Sequence, residues 1–144
     1  MRKVLMPVDE DTERLQRQLA TVDRVFDASD VEITVLYVHE TVDTPGDEAG
    51  EEVIDMVNEN IEELQGLPDT IERAANELGD AGIDVEVMER VGEAVPSILK
   101  AGENLDADPI LISSRDQTPV GKVVFGSVTQ GVILDSDRPV LVAK

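Results

Sequence analysis

Three stretches of the chain hold side chains whose types and spacing could do chemistry. The first is Asp9-Glu10-Asp11, three successive carboxylates directly after an apolar run. Such a trio could bind Mg²⁺ through oxygen ligands or accept a phosphoryl group. A phosphoacceptor pattern of that kind also needs an aspartate at the end of a third strand, where this chain has Met88-Glu89-Arg90-Val91. The simpler assignment makes Asp11 the cap of the next helix and leaves the other two acids as surface.

The second stretch is Ser113 to Thr129, SSRDQTPVGKVVFGSVT. It leaves an apolar strand, crosses a polar loop and enters a helix that opens Gly126-Ser127-Val128-Thr129. Free backbone N–H groups at a helix start attract anions, and a glycine there lets a ligand come close. Ser127 and Thr129 add hydroxyls, while Arg115 and Lys122 are cations in an acidic chain. The alternative is that Ser127 only caps a helix that has to begin somewhere, and from chemistry alone both readings stand. A phosphate-binding P-loop would need glycine at Asp116 and Ser or Thr at Val123, and it fails at both.

The third is His39, the single histidine. With no cysteine and no second histidine, a metal site or a Ser-His-Asp relay would have to be built from it alone, and it is expected in a loop without a catalytic role. No G-x-S-x-G elbow is present. A slow ATPase would therefore lack a base defined by the sequence.

The elements that must carry these residues alternate along the chain. Val4–Val8 forms a first strand, and Leu15, Leu19, Val22 and Phe26 mark one face of a helix that starts at Asp11 or Thr12. Val31–Val38 is a second, β-branched strand. A polar loop over 39–50 follows, then helical spacing through Val53, Ile54, Val57, Ile61 and Leu64, interrupted at Gly66 and Pro68 and resumed at Ile71. Strand patterns at 83–91, 109–112 and 139–142 enclose helices over 93–105 and from 126 or 127 to about 134. This β-α order implies one domain over 1–144, α/β in class, with a parallel sheet wound by right-handed crossovers. Ligands bind such sheets beyond the carboxyl ends of the strands, where strand order reverses. Pro7, Val8 and Asp9 after the first strand, and Ile112 and Ser113 at the end of the fourth, would flank that crevice.

Composition narrows the partners. Twelve Lys and Arg stand against 32 Asp and Glu, a net charge of −20, so the basic footprint of a nucleic-acid-binding protein is absent. Acids spread through the chain in this way repel one another, and at ~1 M salt the Debye length falls to about 3 Å and removes most of that repulsion. A halophilic, haloarchaeal source is the expectation. No apolar run reaches the ~18–20 residues of a membrane span, and the start of the chain lacks a signal-peptide pattern, so a cytoplasmic location is expected. The terminal stretch Arg138–Lys144 is an apolar strand with an open edge, which invites pairing with a second copy.

The chain resembles the universal stress protein family over essentially its whole length. VLMPVDED (4–11) is similar to the family's ILVPVDGS, and TVLYVHE (34–40) to its second strand. The passage from Val91-Gly92-Glu93 to Asp106-Ala107-Asp108 resembles the family's VGDPAEEILRAAEELDADLI. GSVTQGVILDSDRPVLV (126–142) is close to GSVSERVLRHSDRPVLV. The resemblance implies a five-stranded parallel sheet in order 3-2-1-4-5 with helices on both faces, Rossmann-like and similar to the adenine nucleotide alpha hydrolases. It also implies a homodimer joined through the last strand (138–144) and a role in stress survival. Some members bind ATP or AMP through G-x2-G-x9-G-[ST]. Here that pattern stands as Ser113-x2-Asp116-x9-Gly126-Ser127, with both leading glycines replaced. The resemblance places adenine and ribose among Pro7, Val8, Asp9 and Val38, and the phosphates against Gly126, Ser127, Val128 and Thr129. Mg²⁺ would enter only together with the nucleotide. Asp116 adds a carboxylate beside those phosphates, and a like-charge pair at about 5 Å and an effective dielectric near 20 costs roughly 3 kcal/mol. Two functions are therefore carried forward: a nucleotide-sensing module with a degraded motif, or a dimeric interaction protein that no longer binds nucleotide.

Overall fold

The computed structural model describes residues 1–40, 56–58, 67–114, 116–117 and 123–144. Its strands are β1 (Arg2–Pro7), β2 (Val31–Glu40), β3 (Met56–Asn58), β4 (Asp84–Gly92), β5 (Ile110–Ser113), β6 (Asp116–Gln117), β7 (Val123–Val124) and β8 (Val140–Ala143). Its α-helices are α1 (Thr12–Val25), α2 (Asp69–Asp80), α3 (Ala94–Leu105) and α4 (Ser127–Asp135). The main sheet runs β3-β4-β2-β1-β5-β8. Its five parallel strands, numbered along the chain without β3, stand in the order 3-2-1-4-5.

β1 lies at the centre because it is apolar toward both faces. Val4 and Met6 pack with Leu15 and Val22 of α1 and Ile71, Ala74 and Leu78 of α2. Leu5 points the other way, into a second core with Leu36, Ile98 and Ala101 of α3 and Val132 of α4. A strand covered on both sides shows a continuous apolar run rather than alternation, as Val4-Leu5-Met6 does.

Two expectations need correction. The helical spacing through 53–64 does not hold at Met56–Asn58, which pair antiparallel with β4 as an extra edge strand. Covering the open backbone edge of β4 outweighs the local helical pattern there. Val53, Ile54, Ile61 and Leu64 lie outside the described residues, as does most of the 39–50 loop. The polar stretch after β5 is not simply a loop, since Asp116–Gln117 pairs antiparallel with Val123–Val124 in a small ribbon. No helix among the described residues is long and apolar enough to cross a membrane.

Candidate functional site

β1 sends its chain to one side toward β2 and receives β5 on the other, so the strand order reverses between β1 and β5. A cleft of ≈ 780 Å³ opens there, at the carboxyl ends of the strands. A buried glutamine ties its floor together: the Gln18 side-chain amide donates to the carbonyls of Pro7 (2.7 Å) and Leu111 (3.2 Å). Pro7 ends β1 and Leu111 lies within β5, the two strands between which the cleft lies.

One wall comes from the ends of β1 and β2. Asp9 accepts the backbone N–H of Asp11 at 2.9 Å on one carboxylate oxygen and pairs with the Arg14 guanidinium through the other. Its carbonyl accepts the buried Thr70 hydroxyl at 2.6 Å. Asp11 caps α1, accepting the Arg14 N–H at 3.0 Å. Glu10 turns instead to Tyr37, whose hydroxyl donates to it at 2.8 Å. The three carboxylates therefore go three different ways. Among the described residues no group of three or more acids or histidines could hold a metal ion. Burial pushes the Tyr37 hydroxyl up to about 12, helped by the hydrogen bond to Glu10 and by the charges of Glu10, Glu40 and Asp9.

The opposite wall is built by β5 and α4. Ser113 ends β5, and its carbonyl accepts the Thr129 hydroxyl at 2.8 Å, which ties the first turn of α4 to the sheet. Gly126 is the N-cap, in extended backbone, and no side chain caps the helix. The first backbone bond of α4 runs from the Gln130 N–H to the Gly126 carbonyl at 3.0 Å. The N–H groups of Ser127, Val128 and Thr129 precede it and have no carbonyl partner inside the helix. Gly92, at φ 149, takes β4 sharply into α3, whose first residue Ala94 also borders the cleft.

The cleft thus gathers Pro7, Val8, Asp9, Val38, Ile112, Ser113, Gly126, Ser127, Val128 and Thr129. Asp116 sits in the ribbon opposite Val124, but its side chain is outside the described residues, as are Arg115 and Lys122. His39 is in β2 rather than in a loop. Its Nε2 lies 2.9 Å from Glu89 and its ring meets Tyr37 edge-on at 4.8 Å. Sequence reasoning missed Arg14, Gln18, Tyr37 and Glu40 in the cleft lining. The available signal was helical: Arg14 and Gln18 are four apart, so both fall on the face of α1 that starts from the capping Asp11.

An open, doubly wound α/β sheet with a cleft at its reversal point defines a Rossmann-like protein. A sequence model of the universal stress protein family matches residues 1–144, and the chain belongs to that family. It is similar to a universal stress protein of Mycolicibacterium smegmatis, 38% identical over 68 residues that make up 46% of this chain and 52% of the relative. It is also similar to universal stress protein MJ0577 of Methanocaldococcus jannaschii, 36% identical over 74 residues, 51% of this chain and 46% of the relative. The matched chain spans about half the length of these two relatives. The solved structure of MJ0577 superposes with a TM-score of 0.71 at 26% identity, covering 99% of this chain and 95% of the other. A universal stress protein of Archaeoglobus fulgidus, solved in complex with dAMP, shares the fold at a TM-score of 0.68 and 22% identity, covering 100% and 98%.

Proposed function

We propose that this chain is an adenine-nucleotide-binding module of the stress response. The observation that carries the reading is the uncapped start of α4, held against β5 by Thr129 and facing the cleft. Pro7, Val8, Asp9 and Val38 would enclose the nucleoside, and Gly126, Ser127, Val128 and Thr129 would receive phosphate from ATP or AMP. Mg²⁺ belongs to the reading only as a companion of the nucleotide. The dAMP complex of a family member with the same fold supports it. The rival, a dimeric protein whose nucleotide site has lapsed, rests on Ser113 and Asp116 standing where binding members have glycine.

The test is nucleotide content and titration. Protein purified in molar KCl with Mg²⁺ is denatured, the released small molecules are chromatographed, and the emptied protein is titrated with AMP and ATP. Bound nucleotide supports the proposal, while an empty protein that gives no heat with either ligand supports the rival. In the binding case Gly126→Asp lowers affinity about 100-fold by setting a charge beside the phosphate. It leaves the helix intact, because aspartate is itself a good N-cap.

We further propose a homodimer through the C-terminal strand, 138–144. Among the described residues β8 pairs with β5 alone, and Ile133 and Leu134 of α4 are exposed. Sedimentation in molar KCl is expected to give twice the chain mass, and a monomer would end the proposal. The acidic surface fits a protein adapted to such salt.

A further inference from the structure

We propose, resting on the nucleotide reading above, that Gln18 is a positioning residue for the ligand. It stands in for a rung of the sheet that Pro7 removes, and so sets the width of the gap between β1 and β5. β1 pairs with β2 along its whole length, from Arg2 to Pro7, but among the described residues it meets β5 only at Leu5 opposite Ile110. There the Leu5 N–H donates to the Pro109 carbonyl at 3.2 Å. A parallel ladder continued from that point would have the Leu111 carbonyl accept the N–H of residue 7. Residue 7 is proline and has none. The ladder therefore stops at the level where the cleft opens.

Carbonyls left facing such a gap have to be satisfied from elsewhere. Gln18, only 2% exposed and on the cleft floor, supplies both bonds from one atom: its Nε2 donates to the carbonyl of Pro7 at 2.7 Å and to that of Leu111 at 3.2 Å. A primary amide carries two N–H groups on a single nitrogen, which neither methionine nor an ionised glutamate can match. The two strands are thus held apart by a side chain where a backbone rung would have drawn them together. The same face of α1 fastens the rest of the site. Arg14 holds Asp9 on the nucleoside side, and Arg17 donates to the Ser114 carbonyl at 2.9 Å on the other. Ser113, beside it, receives the Thr129 hydroxyl and with it the start of α4. Gln18 touches both sides at once, so the distance from Val8 and Asp9 to the phosphate-binding turn depends on it.

The experiment measures AMP affinity by calorimetry and the urea midpoint, in molar KCl, for the parent and for Q18M, P7A and P7A/Q18M. Val22→Ala serves as a variant weakened in the core under the same helix, outside the cleft lining. Q18M keeps the length of the side chain and removes both donors, and it is expected to bind AMP about tenfold more weakly. Val22→Ala should lower the midpoint yet leave AMP affinity within about twofold of the parent. P7A restores the missing N–H, so the Leu111 carbonyl no longer depends on Gln18, and Q18M should lower the midpoint less in that background than in the parent. A folded Q18M that binds AMP as tightly as the parent overturns the positioning role and leaves nucleotide binding standing. So does a Q18M substitution that costs the same stability with Pro7 and without it. Should Q18M not fold on its own, recovery of folding in P7A/Q18M supports the replaced rung, and failure there overturns it. If the parent binds neither AMP nor ATP, the nucleotide reading itself falls and the positioning role with it.

Discussion

Tyr37 is the only tyrosine, and the chain has no tryptophan, so its phenolate absorbance can be followed without interference. The folded hydroxyl is pushed up to about 12, first by burial and then by its hydrogen bond to Glu10. An unfolded tyrosine ionises near 10. The folded state therefore holds its proton over a range in which the unfolded state has lost it. That contribution to stability is fully present below pH ~10 and is lost as pH rises through about 12. An alkaline spectrophotometric titration should give a midpoint well above 10 for the native protein, near 10 in denaturant, and lower in Glu10→Gln than in the parent. Equal midpoints in native and denatured protein would mean that the Tyr37–Glu10 contact does not exist in solution. No sequence pattern announces this pair, because residues 27 positions apart meet only once β1 and β2 lie side by side.

Among the elements, α4 is positioned by close contact with α3. A Cβ added at Gly131 would stand 2.7 Å from Cγ2 of Val95 and 3.2 Å from its Cγ1. Valine has little rotameric freedom with which to yield. Gly131→Ala gains about 1 kcal/mol of helix propensity but meets an overpacking cost of roughly 1–3 kcal/mol, so a net loss of stability is expected. Adding Val95→Ala clears the space and should restore the urea midpoint relative to the single variant. A single variant more stable than the parent would show that the helices are not in register as described. The order of strands and helices was legible in the sequence because apolar runs such as Val4–Met6 and Ile110–Ile112 and the helical spacing of Leu15 with Val22 and of Ile71 with Ala74 and Leu78 encode burial directly. The strand at Met56–Asn58 was not legible, since its reason lies in the open edge of β4 some thirty residues further on. The cleft was legible where it is backbone chemistry, at Gly126–Thr129 after β5. It was hidden where it depends on which helix face turns inward, as with Arg14 and Gln18.

For the molecule as a whole, a net charge of −20 on 144 residues sets the response to salt. Self-repulsion favours the expanded chain, and shortening the Debye length from about 10 Å at 0.1 M to about 3 Å at 1 M weakens it. The thermal midpoint is expected to climb with KCl over that range, and a flat or falling midpoint would refute the view of the acids as an unscreened burden. The Gln18 bridge carries a different implication. It joins positions 93 residues apart, and Arg17 reaches the Ser114 carbonyl across 97. The strands on the β2 side of β1 are complete by Gly92, whereas the far wall of the cleft arrives only with α4. The two walls of the cleft thus come from segments far apart along the chain. If the proposed nucleotide binds, it ties these two walls together, and amide protons of β5 should become more protected from exchange in its presence.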